Sequence, residues 1–267
     1  MSAPHASSRF EIDGLNIAYR VDGAESADNL VLINSLGTDL QLWEPQMAEL
    51  TRHFRVVRYD CRGHGESDVS PGPTSIDRLG ADLVALLDCL NVERAHLCGL
   101  SLGGCIALWA AAYHRERVGR AVFANTAARI GTTESWDERM RAVRAGGMSA
   151  ISEAVVGRFL GASFRAAHPD VTRRITGMVE ATPPAGYLAA CAALRDADLR
   201  TVVSRIRAPS LILAGELDQS TPLQQSEELH TAIAGSELVV LSGAAHLTNV
   251  EQAEEFTRVV TNFLRGL

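Results

Sequence analysis

The chain has 267 residues, 46% of them hydrophobic and 21% charged, a balance that suits one α/β domain, or one such domain carrying an insertion, and needs neither disulfides nor metal for stability. A formal charge of −7 argues against broad binding to nucleic acid or to an anionic membrane, although one local arginine can still serve a small anionic substrate. Every basic residue is arginine, which excludes Schiff-base chemistry on lysine, and five cysteines without CxxC spacing signal neither a zinc site nor a disulfide framework.

Residues 1–8 read as a loose tail without an apolar signal core, so a cytoplasmic location is expected. Phe10 to Asp13 and Leu15 to Arg20 flank Gly14 and predict an opening hairpin. Leu30 to Ile33 is a buried-strand run, Trp43 to Thr51 has helical spacing, and Val56 to Tyr59 is a further strand. Ile76 to Leu90 carries apolar residues on one helical face. Ala95 to Leu100 predicts a strand, Leu102 to Tyr113 an apolar and therefore buried helix, and Ala121 to Ala124 a strand.

Residues 130–207 break this rhythm. They are rich in alanine and arginine, helical in pattern, and interrupted at Gly146-Gly147, Gly161 and Pro183-Pro184. We read them as a helical cap inserted into a core formed by residues 1–129 and 208–267. The alternation then resumes with a strand over Ser210 to Ala214, a helix over Pro222 to Ala234, a strand over Leu238 to Leu241 and a closing helix over Glu251 to Leu264. Eight strands alternating with helices predict the α/β class, with a mostly parallel sheet covered on both faces. No stretch is long and apolar enough to span a membrane.

The chemistry concentrates at strand ends. Gly99-Leu100-Ser101-Leu102-Gly103 is a G-x-S-x-G motif between a strand and a helix, the context in which a sharp turn holds a nucleophilic serine out at the strand end. Side chains at Gly99 and Gly103 would clash in such a turn, and the amide of Leu102 opens the helix, facing developing negative charge. A serine of this kind takes an acid and then a histidine later in the chain. Asp218, in the loop after the 210–214 strand, is the better acid, with Glu216 as the alternative. His246, in the loop after the last predicted strand, is the base. His5 lies in the tail, His53, His96 and His114 at the wrong end of the sheet, and His168 and His230 on the surface.

Two further loops reach the same edge. Asn34-Ser35-Leu36-Gly37 follows an early strand and presents the amide of Leu36 as a second oxyanion donor, with Asn34 and Ser35 as polar anchors. Trp43 reads as helix packing. Asp60 to Ser67 contains GHGES, which lacks the third glycine of a dinucleotide fingerprint and reads as a structural turn fixed by Arg62 and His64.

The assembled motifs resemble the α/β-hydrolase fold family over nearly the whole chain and, more narrowly, the 3-oxoadipate enol-lactonases. The resemblance rests on NSLGTDLQLWEPQ (34–46), FRVVRYDCRGHGES (54–67), CGLSLGG (98–104) and NTAARIGTTESWDERM (125–140). It implies the triad Ser101, Asp218 and His246, no cofactor, and hydrolysis of an anionic enol-lactone in the β-ketoadipate route of aromatic-acid catabolism. Arg129 and Arg139 are then candidates for the substrate carboxylate and Trp136 for the flat ring, and a monomer or small homo-oligomer is expected. The same triad also suits a general carboxylesterase, a cofactor-free perhydrolase or a carbon–carbon bond hydrolase. A ligand-binding sensor on this fold is the alternative from another class. Dehalogenases and epoxide hydrolases would need aspartate in place of Ser101.

Overall fold

A computed structural model describes residues 7–267. The predicted tail falls mostly outside them, and at its end Ser8 already belongs to a strand. Eight strands form one sheet: β1 (Ser8–Ile12), β2 (Leu15–Asp22), β3 (Asp28–Ile33), β4 (Phe54–Tyr59), β5 (Ala95–Leu100), β6 (Val118–Ala124), β7 (Ser210–Gly215) and β8 (Glu237–Leu241). Their spatial order is β1-β2-β4-β3-β5-β6-β7-β8. β2 runs antiparallel to both β1 and β4, and the remaining neighbours are parallel. The hairpin forms because Asp13 and Gly14 both adopt positive φ, 52° and 73°, the pair a two-residue turn requires.

The central strands are apolar at consecutive positions because helices cover both faces. In β7 all six residues are buried. The helices of the core are α1 (Glu44–Leu50), α2 (Ile76–Cys89) and α3 (Leu102–Tyr113), followed after the insertion by α9 (Leu223–Ala232), α10 (Thr248–Glu251) and α11 (Ala253–Arg265). α3 is buried from Leu102 to Ala112, which explains its apolar sequence all round.

Two predicted helices differ in detail. The 43–51 segment begins as a 3-10 turn at Leu40–Trp43, and α1 starts at Glu44 with Pro45 in its first turn. The closing helix is divided at Gln252, where φ is −127° and ψ 55°, so α10 and α11 are separate. Between β6 and β7 lie five helices: α4 (Thr133–Gly146), α5 (Ser149–Phe159), α6 (Ala162–Ala167), α7 (Pro169–Ala181) and α8 (Pro184–Asp196). The predicted breaks recur there, and one further break falls at His168, ahead of Pro169. Gly63 and Gly186 meet backbone to backbone, so a side chain on either would push this helical layer off the Asp60–Ser67 loop. No described helix is long and apolar enough to cross a membrane.

The Asp60–Ser67 loop is tied internally. Arg62 forms a two-pronged ion pair with Asp82, with Nε 2.6 Å from Oδ2. His64 is fully buried, and its Nδ1 donates to the Arg62 carbonyl at 3.3 Å, while Nε2 has no partner among the described residues. Burial outweighs that hydrogen bond and lowers the His64 pKa to about 4. An unfolded histidine titrates near 6.5, so between these values the unfolded chain binds a proton that the folded chain does not. Stability from this group is therefore complete above about pH 6.5 and is lost as pH falls toward 4, by roughly 3 kcal/mol. Urea unfolding at pH 7 and pH 4.5 is expected to show a smaller difference for His64→Gln than for the wild type. An unchanged difference would assign the acid sensitivity elsewhere.

Candidate active site

The functional loops all leave the C-terminal ends of parallel strands, where ligands of open α/β sheets bind. Ser101 follows β5 with φ 57° and ψ −111°, a strained conformation for a residue with a side chain. The strain is held by three hydrogen bonds. The Ser101 amide donates to the Ala124 carbonyl at 3.0 Å, and its own carbonyl accepts from the Cys105 amide and from Thr126 Oγ1. A side chain on Gly99 would strike the Gly103 carbonyl, and one on Gly103 would strike the carbonyls of Ile33 and Asn34. These two glycines let β3, β5 and α3 converge on the serine.

Asp218 leaves β7 and is buried with five donors around its carboxylate. Oδ1 accepts from the amides of Ser220 at 2.8 Å and Thr221 at 3.0 Å. Oδ2 accepts from His246 Nδ1 at 2.8 Å, Thr221 Oγ1 at 2.7 Å and Asn125 Nδ2 at 3.0 Å. Burial pushes the Asp218 pKa up, but the nearby His246 and the hydrogen bonds outweigh it and hold the group below its ordinary value. Asp218 is thus ionised across the neutral range, and its bond fixes the proton on Nδ1 of His246, leaving Nε2 as the acceptor. The His246 ring also stacks on Phe159 of α5, with centroids 5.5 Å apart. The alternative acid, Glu216, points elsewhere: it accepts from Ser242 Oγ and the Gly243 amide on the surface.

Ser101 and His246 line a cavity of about 200 Å³ together with Ser35, Leu36, Trp136, Arg139, Arg158, Phe159 and Tyr187. Leu36 is therefore at the cavity wall. Leu102 is the first residue of α3, where amides have no intrahelical acceptor. Asn34 does not reach the cavity. Its side chain donates to the Tyr59 carbonyl and accepts from Trp43 Nε1, which accounts for the buried tryptophan without any substrate contact.

Of the three candidates for substrate contact, Trp136 and Arg139 are here and Arg129 is not. Trp136 is pinned by its indole N–H to the Ile130 carbonyl at 2.7 Å, and the Arg139 guanidinium lies 4.7 Å above its ring. Arg129 instead lines a separate cavity between the β6 loop and α9, with Arg200, Gln225 and Glu228, and lies 3.9 Å from Asp198. Its expected place at the substrate is corrected by that position: Arg129 is not among the described residues on the wall of the Ser101 cavity. Arg158 of α5 lines the Ser101 cavity beside Arg139. It is half-buried, and both desolvation and the neighbouring Arg139 depress its pKa. Among the described residues neither Arg139 nor Arg158 has a carboxylate partner. Asn125 also escapes a sequence reading, since its bond to Asp218 depends on the β6–β7 pairing, where its amide donates to the Leu213 carbonyl at 2.7 Å.

A strained serine at a strand end, sharing its cavity with a histidine that a buried aspartate orients, is hydrolase machinery. Residues 28–253 match the alpha/beta hydrolase fold family, and the chain belongs to that family of enzymes. A 3-oxoadipate enol-lactonase of Acinetobacter baylyi is 36% identical over the full length of both chains. The crystal structure of the enol-lactonase from Burkholderia xenovorans LB400 superposes with a TM-score of 0.95, at 41% identity, covering 97% of this chain and all of that one. A Caulobacter protein, RutD, named for carbamate hydrolysis, is 30% identical over 96% of this chain and 97% of its own.

Proposed function

We propose that this hydrolase opens 3-oxoadipate enol-lactone to 3-oxoadipate in the catabolism of aromatic acids, through an acyl-enzyme on Ser101. The observation that carries the reading is the pair of guanidiniums, Arg139 and Arg158, placed without carboxylate partners on the wall of the Ser101 cavity in a protein of net charge −7. Two like charges held close in a half-buried site repel each other, and an anionic substrate relieves that repulsion. The names of the relatives supply the lactone.

His246 Nε2 takes the Ser101 proton as Oγ adds to the ring carbonyl, and the oxyanion rests on the amides of Leu36 and Leu102. The C–O bond to the enol oxygen breaks, and His246 returns the proton to that oxygen. The enol remains tethered through the acyl chain and tautomerises to the ketone. Water, deprotonated by His246, then adds to the acyl carbon, and Ser101 leaves with the proton.

The test is a substrate panel followed in the ultraviolet: the enol-lactone, a neutral aryl ester and a carbamate. The lactone is expected to have the highest kcat/KM. Preference for the aryl ester would make the protein a general carboxylesterase, and preference for the carbamate would align it with the RutD-like relatives. Binding without turnover would make it a sensor. In the same assay, Arg158→Ala and Arg139→Ala are each expected to raise KM for the anionic lactone by about 10- to 100-fold, the worth of a charge-assisted hydrogen bond. Arg129→Ala is expected to leave KM unchanged. Equal effects on the lactone and the neutral ester would sink the charge-recognition account.

A further inference from the structure

Ser35 is only 1% exposed, and its Oγ has no hydrogen-bond partner among the described residues. Buried hydroxyls are nearly always paired, so an unpaired one at a ligand cavity calls for an explanation. The residue stands on the wall of the Ser101 cavity, directly before Leu36. Its backbone is fixed, because the Ser35 carbonyl accepts from the Thr38 amide and from Thr38 Oγ1 at 2.8 Å. The preceding Asn34 is clamped on both ends of its amide by Tyr59 and Trp43. From the other side, the Tyr187 ring of α8 presses on Gly37, lying 3.0 Å from where a side chain at that glycine would begin. The loop backbone therefore holds Ser35 at one place on the cavity wall.

We propose that the Ser35 hydroxyl is a third oxyanion donor, a catalytic side chain that hydrogen-bonds the carbonyl oxygen of the substrate alongside the amides of Leu36 and Leu102. The inference rests on the reading of Ser101 as nucleophile. A hydroxyl held in place before the reaction gives most where charge develops, so its contribution belongs to the transition state rather than to ground-state binding. It also supplies a bond that a glycine or alanine at this position could not.

Ser35→Ala and Ser35→Gly both delete the hydroxyl, the first with almost no change in volume and the second with a further loss of the methyl group. Each is expected to lower kcat for the enol-lactone by about 100-fold, within the range for loss of one oxyanion donor, with KM changed less than about twofold. Affinity for a boronic acid that forms a tetrahedral adduct on Ser101 is expected to fall in step with kcat/KM, while affinity for the product 3-oxoadipate stays at the wild-type value. A merely structural role would lower thermal stability and product affinity together and leave that proportionality absent. Wild-type kcat in either variant, or a loss confined to KM, overturns the proposal. Ser101→Ala run beside them separates the two levels: if it is inactive while Ser35→Ala turns over normally, only the third donor falls, and if it is fully active, the nucleophile reading falls as well.

Discussion

Ser101→Ala is expected to lower kcat for enol-lactone hydrolysis by roughly 10⁵- to 10⁶-fold, the scale seen when the nucleophile of a serine hydrolase is removed. The substitution changes little else. Alanine must occupy the same φ of 57°, and the hydrogen bonds that hold the turn run through the Ser101 backbone, which alanine retains. The folded protein should therefore keep its substrate affinity while losing turnover. Single-turnover kinetics would check this: the wild type should trap an acyl-enzyme detectable by intact mass, and the alanine protein should not. Normal turnover in the variant would remove the acyl-enzyme from the mechanism.

Asp218→Asn is expected to cost about 10⁴-fold in kcat with KM little changed, as an asparagine in this role selects the wrong histidine tautomer. The reason is specific to the donors around the carboxylate. Asparagine has one acceptor oxygen and one NH₂ group. Oδ1 faces two backbone amides, from Ser220 and Thr221, that can only donate. An NH₂ group there would oppose both. At Oδ2 the Thr221 hydroxyl can rotate, the imidazole of His246 can move its proton, and Asn125 Nδ2, the one fixed donor opposed there, keeps the Ala245 carbonyl as acceptor. The NH₂ group accordingly settles against His246, Nδ1 becomes the acceptor, and the proton moves to Nε2, where the base is needed. NMR of the His246 ring nitrogens would report the exchange. An unchanged tautomer together with a large rate loss would assign Asp218 a purely electrostatic part.

The strand ends were the most legible part of the chain, for a physical reason. A nucleophile turn needs glycines at fixed offsets, and a parallel sheet sends successive loops to one edge, so Ser101, Asp218 and His246 could be placed by chain order. The helical layer carries no such constraint. Arg129 lies close in sequence to β6, yet its guanidinium lies 3.9 Å from Asp198, far along the chain. Arg158 reaches the cavity because α5 packs on α4 and α7, and nothing in its local spacing distinguishes it from Arg141 or Arg144. Asn125 belongs to a recognisable motif, but its work on Asp218 appears only when β6 and β7 pair. The burial of Ser35 was not legible either, since it depends on Trp43 holding Asn34 and on the Tyr187 ring lying against Gly37 from far along the chain.

Glu251 joins two parts of the molecule that the sequence keeps far apart. One carboxylate oxygen accepts from the Gly161 amide of the helical layer at 2.7 Å, and the other from the Ala245 amide beside His246. The Leu247 amide donates to the Phe159 carbonyl at 2.9 Å, one residue from the stacked imidazole. This corner behaves as a rivet. It ties the helical layer to the loop that carries His246, so the position of the imidazole depends on where α5 and α6 sit. Substitutions at the α5–α6 junction would accordingly be felt as a slackened base, even though none of those residues handles a proton.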